Sequence, residues 1–329
     1  MSHGLSAIVE SRLWDSNVTL FRIKQHLFTL WLFTVTDIET VILPCTVLGI
    51  SNILAQSPVI LDEWLHIFKR TLTVVIWLWV NLVPLTISNQ RGPASILEDS
   101  ANKPWRPLPS RRITPHQAKR VMLAFYVVSQ IYSRMYSGGG LQSFGLAILG
   151  TWYNRFEGGE HHPLLRNFIN ALGYLCFTSG VVEIALGDTK HQHHRSLDSG
   201  EYIGHMDSPK LWPAVITGII VSTMHIQDMY DQEGDALRGR KTLPLVIGDK
   251  ATRRSLAIAM VLWGIICPIL AQVEDLVFLA SCLLTFSIAF RTLTWRDPAS
   301  DKITYRVWNI WASLVFIMPL LGVQKQPTT

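Results

Sequence analysis

Charged side chains are scarce in this sequence. Asp, Glu, Lys and Arg make up 16% of the 329 residues, whereas hydrophobic residues make up 49%, and the mean hydropathy is +0.25. This composition excludes an ordinary soluble domain. The net charge of +5 could suggest a nucleic-acid partner. However, the basic residues lie in loops between apolar segments, so we expect no nucleic-acid partner and a lipid bilayer instead.

Cysteine is also rare, and the chain lacks a secretory leader. None of the four cysteines forms a CxxC pair, and all lie in apolar segments, which excludes a disulfide framework or a zinc site. Residues Met1–Gln25 contain no compact apolar core before a cleavage site. We therefore expect the first apolar helix to act as an uncleaved targeting signal.

Long apolar runs dominate the rest of the chain. A spanning helix needs roughly 20 mainly apolar residues. The sequence predicts an all-α integral membrane protein with about nine transmembrane helices in a bundle. The predicted spans are 26–54, 65–88, 113–135, 138–154, 164–187, 211–229, 251–272, 274–292 and 304–323.

The domain organisation predicted from these runs is simple. Residues 1–25 form a cytosolic N-terminal tail, 26–323 one transmembrane domain, and 324–329 a C-terminal tail. The even-numbered loops hold most of the lysines and arginines, which indicates that they face the cytosol.

Three aspartates, Asp228, Asp231 and Asp235, follow an apolar segment. On one helix, spacings of three and four residues would put the carboxylates on one face. A row of carboxylates becomes favourable when Mg²⁺ lies between them, and Mg²⁺ commonly binds carboxylates together with substrate phosphates. The cations Arg238, Arg240 and Lys241 follow and could hold phosphate oxygens. The alternative is a solvated charge run at a helix end.

A second polar stretch, residues 89–112, is expected on the same membrane face. Glu98 and Asp99 offer carboxylates, while Lys103 and Arg106 offer cations. Its prolines predict a stiff, non-helical loop. By itself this loop could be a connector whose positive charges only set the orientation of the helices in the membrane. Two acidic and basic clusters around one cavity could instead bind a metal-bound diphosphate, with the apolar bundle holding a hydrocarbon chain.

These two stretches resemble the UbiA superfamily of intramembrane prenyltransferases. The segment Asn102-Lys-Pro-Trp-Arg-Pro-Leu-Pro-Ser110 is similar to the loop after the family's first motif. Asp228-x-x-Asp231-x-x-x-Asp235 followed by Gly-Arg-Lys-Thr-Leu-Pro is similar to its second motif. Residues 167–174 also resemble the fifth helix of the family.

The resemblance implies a helical bundle around a central isoprenoid cavity, with Mg²⁺ as cofactor and an isoprenyl diphosphate as substrate. The implied metal ligands are Glu98, Asp99, Asp228, Asp231 and Asp235, of which the three aspartates of the second motif are also the catalytic candidates. The implied diphosphate-binding residues are Asn89, Lys103, Arg106, Tyr153, Arg240 and Lys241.

One departure from the family pattern favours a particular branch. The first motif usually has an aspartate four residues after its asparagine, where this chain has Pro93. The Glu98-Asp99 pair is more similar to the fungal branch that contains sesquiterpene cyclases. We therefore expect a membrane-bound cyclase that ionises farnesyl diphosphate and forms a sesquiterpene in secondary metabolism.

The open alternative is a prenyltransferase that moves the isoprenyl group to an aromatic or other acceptor. A transporter would explain the helices but not two charged clusters on one face, and a non-catalytic isoprenoid-binding relative is a further alternative. Downstream pathway enzymes are expected as further partners. The expected location is the endoplasmic reticulum, with the active-site face cytosolic.

Other polar residues have simpler interpretations. The histidines at 191, 193 and 194 are expected to be solvated, and so is the loop that contains Glu160, although Glu160 could cover the site. Glu183 could be a base or could hydrogen-bond a neighbouring helix. His225 could order a metal ligand or make a structural hydrogen bond.

Overall fold

The computed structural model describes residues 21–56, 64–187 and 211–322, and every main element among them is a helix. The first helix, α1, covers residues 21–37 and runs through a π-helical turn, Ile38–Ile42, into the second. The helices that follow are α2 (Leu43–Gln56), α3 (Trp64–Gln90), α4 (Pro93–Asn102), α5 (Pro115–Tyr132), α6 (Gly140–Arg155), α7 (Pro163–Leu186), α8 (Leu211–Thr223), α9 (Gln232–Arg238), α10 (Leu243–Ile247), α11 (Asp249–Ala271), α12 (Asp275–Thr294) and α13 (Pro298–Leu321).

Several helices begin at a proline. The first N–H groups of a helix have no helical acceptor, so the N–H that proline lacks is not needed there. Thr114 caps α5 in a capping box with Gln117, with Pro115 as the first helical residue. The side chain of Asp297 accepts a hydrogen bond from the Ser300 amide at 2.9 Å and so caps α13. Pro93 begins α4 in the same way, after Gly92. The polar stretch 89–112 therefore contains a helix, and the expectation of a wholly non-helical loop is wrong.

The long helices pack in a closed ring, and α2 also packs across the ring against α7. In order around the ring, neighbouring helices are α2, α3, α5, α6, α7, α8, α11, α12 and α13, and α13 packs against α2. The short helices α4 and α9 lie outside this ring and pack against each other. One end of the bundle is therefore covered by short polar elements.

Apolar side chains pack closely between the middle of α3 and α7. Trp77 on α3 is fully buried and packs edge-on against Phe177 of α7, with ring centroids 6.2 Å apart. A Cβ atom added at Gly180 would overlap the Trp77 ring, so this contact requires glycine.

Six helical segments among the described residues are long and apolar enough to cross a membrane. They are Phe21–Leu54, Trp64–Gln90, Pro163–Leu186, Asp249–Ala271, Asp275–Thr294 and Pro298–Leu321. The predicted count of nine spanning helices is not confirmed. Helices α6 and α8 contain 16 and 13 residues and are shorter than a typical span. The predicted C-terminal tail and the loop histidines at 191, 193 and 194 lie outside the described residues.

Candidate active site

A cavity of about 250 Å³ lies inside the ring. Its walls combine polar side chains with apolar ones, which include Leu82 on α3, Leu146 on α6 and Phe177 on α7. At the polar end it is lined by Lys103, Arg106, Arg166, Arg240, Glu98 and Asp231. The cavity thus joins a strongly charged end to an interior that contains apolar and aromatic side chains.

The aspartate stretch at the charged end does not form one helix. Met224–Asp228 is a 3₁₀-helix, and α9 begins only at Gln232, with Asp231 as its N-terminal cap. The Asp231 carbonyl accepts a hydrogen bond from the Asp235 amide at 2.9 Å. The expected single helical face is wrong, because the chain turns after Asp228 and aspartate favours the start of a new helix.

Each of the three aspartates pairs with a different cation. Asp228 pairs with Arg166 of α7, and both side chains are buried. The Asp231 carboxylate accepts a hydrogen bond from Lys103 at 2.7 Å. Asp235 lies 3.2 Å from an Arg240 nitrogen. Three carboxylates can therefore lie close together here because each one is neutralised separately.

Helices α4 and α9 bring the two predicted motifs together. Gly234 on α9 lies against the Asn102 side chain of α4, and a Cβ atom at this position would overlap it. The Asn102 amide also donates a hydrogen bond to the Asp231 carbonyl at 3.3 Å. The sequence prediction that both stretches lie at one end of the bundle agrees with these contacts.

Four side chains join three segments above the cavity. Arg238 donates hydrogen bonds to Glu98 of α4, at 2.8 Å, and to Glu160 in the loop before α7. Arg240 lies 3.6 Å from Glu98 and 3.4 Å from Glu160. We call these four residues the ion-pair cluster. The expectation that Glu160 is simply solvated is wrong, because two arginines hold it.

The two arginines of the ion-pair cluster also shift the pKa values of its two carboxyl groups. Burial alone would raise the pKa of Glu98, but Arg240 and Arg238 hold it below its usual value. The pKa of Glu160 is lowered by the same arginines against the same effect of burial. For Asp235, burial outweighs the nearby arginines and raises the pKa to about 7.

Asp99 lies beside Arg106 rather than in the ion-pair cluster. Arg106 donates to Asp99 at 2.7 Å and to the hydroxyl of Thr36 at 3.0 Å. The second carboxylate oxygen of Asp99 is buried without a hydrogen-bond partner, and so are Oδ2 of Asp235 and Oδ1 of Asn89. Buried oxygen atoms without partners are costly and call for a ligand.

The predicted site residues fall into three groups by position. The cavity is lined by Asn89, Glu98, Lys103, Arg106, Tyr153, Asp231 and Arg240. Asp99, Asp228 and Asp235 are buried and pair with cations that line it. Lys241 is exposed, and its backbone N–H donates to the Glu160 carbonyl at 3.0 Å.

The sequence interpretation missed Arg166. This side chain is buried, lines the cavity and also donates a hydrogen bond to the Tyr153 hydroxyl at 3.0 Å. An arginine near the start of an apolar helix is itself a signal of function. Glu183, considered as a base, does not line the cavity and accepts hydrogen bonds from Gly139 and Gln142.

The donor set at the charged end fits Mg²⁺. Among the described residues, no three His, Cys, Asp or Glu side chains form a preformed metal cluster. The unpartnered oxygens of Asn89, Asp99 and Asp235 are nevertheless the hard oxygen ligands that Mg²⁺ prefers. Together with Asp228, Asp231 and Glu98, these residues could hold the metal.

The family follows from a match over most of the chain. Residues 42–313 match the model of the UbiA prenyltransferase family. The chain belongs to this family. It is an integral, multi-pass membrane protein, and its family members are prenyltransferases or terpene cyclases.

One relative of this UbiA protein is named a synthase and another a cyclase. It is 30% identical over 300 residues to the fumagillin beta-trans-bergamotene synthase of Aspergillus fumigatus, covering 90% of this chain and 93% of that protein. It is also 26% identical over 294 residues to a diterpene cyclase of Hericium erinaceus, covering 84% and 82%.

A solved structure shares the fold. The UbiA homolog from Archaeoglobus fulgidus, bound to DMAPP and Mg²⁺, has a TM-score of 0.61 and 15% identity and covers 88% of this chain and 98% of its own. At this identity the likeness concerns the fold alone.

Proposed function

We propose that this protein is a Mg²⁺-dependent, membrane-bound terpene cyclase. It ionises an isoprenyl diphosphate, taken here as farnesyl diphosphate, and cyclises the resulting cation to a sesquiterpene. The observation that carries the proposal is the cavity with four cations at one end and with apolar and aromatic side chains beyond them. The names and coverage of the two fungal relatives support cyclisation.

The cations at the polar end suit the diphosphate. Lys103, Arg106, Arg166 and Arg240 all line the cavity, and Arg106 and Arg240 each have a buried nitrogen without a hydrogen-bond partner. These unpartnered donors can bind phosphate oxygens in charge-assisted hydrogen bonds. Diphosphate binding would compete with the carboxylates for their cations.

The carboxylates suit the metal. Asp228, Asp231, Asp235, Glu98 and Asp99, with Asn89, offer oxygens at the same end. When bound, Mg²⁺ supplies charge stabilisation for the departing diphosphate. The ion-pair cluster and α4 cover this end and limit the access of water, which strengthens such electrostatic effects.

The interior suits a hydrocarbon cation. Tyr174, Phe177, Tyr230 and Tyr305 line the cavity. Aromatic ring faces attract a cation by on the order of 2 kcal/mol in a desolvated site. These rings come from three segments of the protein. They can therefore guide the substrate cation toward a double bond of the same isoprenyl chain.

One observation favours prenyl transfer as the second candidate. Asn154, Asn170 and Gln227 also line the cavity, and the Asn154 carbonyl oxygen is buried without a partner. Such amides could hold a polar acceptor. We infer the same cellular setting for either reaction, namely the endoplasmic reticulum with the charged end on the cytosolic face and with downstream pathway enzymes nearby.

The test uses microsomes that contain the full-length protein. They are incubated with farnesyl diphosphate and Mg²⁺, without acceptor, and extracts are analysed by gas chromatography–mass spectrometry. A new hydrocarbon that disappears with EDTA is the expected result. Intact farnesyl diphosphate, with consumption only after addition of an aromatic acceptor, would replace the cyclase proposal by the transferase.

A further inference from the structure

A carboxylate of the cavity wall has no role in the proposed handling of metal and diphosphate. Asp37 lies at the end of α1 and lines the cavity. Among the described residues it forms no ion pair, unlike the other acidic lining residues Glu98 and Asp231. Among the described residues, the Asp37 carboxylate accepts one hydrogen bond, from the Thr36 hydroxyl at 3.2 Å. An acid in a membrane helix that faces a cavity and is not engaged in a direct ion pair is a functional candidate.

The backbone at this position is unusual as well. Asp37 directly precedes the π-helical turn Ile38–Ile42. Such turns are rare inside α-helices and occur frequently at functional sites. Thr40, within the turn, points its hydroxyl to the Tyr305 hydroxyl at 2.8 Å, while its carbonyl accepts from Tyr174 at 3.1 Å.

Asp37 therefore lies between the charged end and the aromatic interior. Its neighbour Thr36 accepts a hydrogen bond from Arg106, which belongs to the diphosphate end. The tyrosines that contact Thr40 belong to the interior, where Tyr305 also packs against Tyr230 with ring centroids 5.8 Å apart. A cation formed at the charged end and moving inward would pass this carboxylate.

We propose that Asp37 is the catalytic base that ends cyclisation, an inference that rests on the proposed cyclase activity. A C–H bond next to the carbocation breaks, and its electron pair forms the C=C double bond of the product. The proton bonds to a carboxylate oxygen of Asp37. It passes to water at the charged end when the diphosphate leaves, which restores the carboxylate for the next turnover.

The test compares Asp37→Asn with Glu39→Gln in the full-length protein. Asparagine has the size of aspartate and can still accept the Thr36 hydrogen bond, but it cannot take the proton. Glu39 is two residues away, is half exposed, pairs with Arg306 at 3.2 Å and does not line the cavity. Its replacement makes the same chemical change on the same helical segment.

Two products are measured with farnesyl diphosphate and Mg²⁺, namely released diphosphate and extracted terpenoids. For Asp37→Asn we expect diphosphate release near the wild-type rate, while the wild-type hydrocarbon falls by about 100-fold, a typical effect of losing a general base. Water should capture the unquenched cation, so alcohols replace the hydrocarbon. Asp37→Glu should restore part of the hydrocarbon, and Glu39→Gln should match the wild type.

The outcomes separate the two proposals. An unchanged product pattern in Asp37→Asn would overturn the role of Asp37 and point to the diphosphate as base. An equal loss of diphosphate release and hydrocarbon would also overturn it, since that result indicates a role in folding or ionisation. If the wild-type protein forms no cyclic product at all, the cyclase proposal fails, and this inference fails with it.

Discussion

At the scale of single residues, the ion pairs of the three aspartates differ in burial. Asp228 and Arg166 are both almost inaccessible, whereas the Lys103 and Asp231 side chains keep 14% and 16% of their surface exposed. Removing one member of a buried pair leaves an uncompensated charge, which costs much more than removing a partly solvated partner. The same chemical change at the two positions should therefore have different effects on stability.

We expect Asp228→Asn to destabilise the protein by about 3 kcal/mol or more, because Arg166 would remain buried without its counter-ion. Asp231→Asn should cost about 1 kcal/mol, as for a more exposed pair. Both changes, and Asp235→Asn, should lower the rate of diphosphate release by on the order of 100-fold, as for lost electrostatic stabilisation of a transition state. Thermal unfolding in detergent measures the loss of stability, and a diphosphate-release assay measures the loss of rate. Full activity in all three variants would contradict the assigned site.

Gly173 on α7 lines the cavity, and a Cβ atom added there would meet nothing within 4 Å. It lies two helical turns after Arg166, or about 10 Å along the helix axis. A side chain at this position should extend into the space for the hydrocarbon. Gly173 is thus a candidate determinant of substrate length.

Gly173→Leu should shift the preference from farnesyl toward geranyl diphosphate, measured by diphosphate release with each substrate. Its matched control is Gly180→Ala on the same helix, where the new Cβ would overlap Trp77. That variant should lose about 1–3 kcal/mol of stability through overpacking. Gly173→Ala should keep or gain stability, since alanine favours helix by up to about 1 kcal/mol. Unchanged substrate preference in Gly173→Leu would contradict this role.

Which charged residues gather at one end of the bundle was largely predictable from the sequence, and their pairing was not. Motif spacing identified the acids and the cations, because charge is rare in this chain. It could not predict that Glu160 joins Arg238 and Arg240, since those contacts connect residues far apart along the chain. Arg166 belongs to neither charged stretch, so motif spacing did not identify this lone arginine of an apolar helix.

At the scale of elements, the ion-pair cluster connects α4, the loop before α7 and the segment that contains α9. Arg238 contacts both acids, and its side chain is only 8% exposed. Without this arginine, the segments that cover the charged end lose their main connection. Their opening should become easier without any change in the hydrophobic core.

Arg238→Met should raise the KM for the isoprenyl diphosphate and increase amide hydrogen exchange in α4 and α9. The reason is that buried Glu98 and partly buried Glu160 would lose a shared partner and repel each other. Lys250→Met is the matched control, because Lys250 is exposed at the start of α11. Hydrogen exchange that is as slow as in the control would contradict the connecting role.

The elements themselves show where sequence patterns succeed. The long apolar runs predicted α3, α7, α11, α12 and α13 closely, because hydrophobicity and length define them. The polar stretches were predicted less well. Helix α4 forms within a proline-rich segment because Pro93 occupies the first helical position, and the turn after Asp228 depends on contacts with α4.

At the scale of the whole molecule, separate segments contribute to one end of a ring of helices. The cavity residues come from α1, the π-helical turn, α3, α6, α7, α13 and the segments around α4 and α9. A ligand that contacts all of these segments binds only the folded protein and should stabilise it as a unit.

Mg²⁺ together with inorganic diphosphate should therefore raise the melting temperature in detergent, and EDTA should remove the increase. Either ligand alone should have a smaller effect, since metal and diphosphate each neutralise only part of the site. Asp228→Asn should show no increase. An equal increase in that variant would indicate binding elsewhere on the protein.

The π-helical turn Ile38–Ile42 holds one residue more than an α-helical path would need. An α-helix advances about 100° per residue, so deleting a single residue from this turn would rotate everything before it by that angle relative to α2. Asp37 would then turn away from the cavity, although the hydrophobicity of the helix would be almost unchanged. A length difference of one residue within an otherwise similar first helix could thus separate proteins that share every charged motif but form different products.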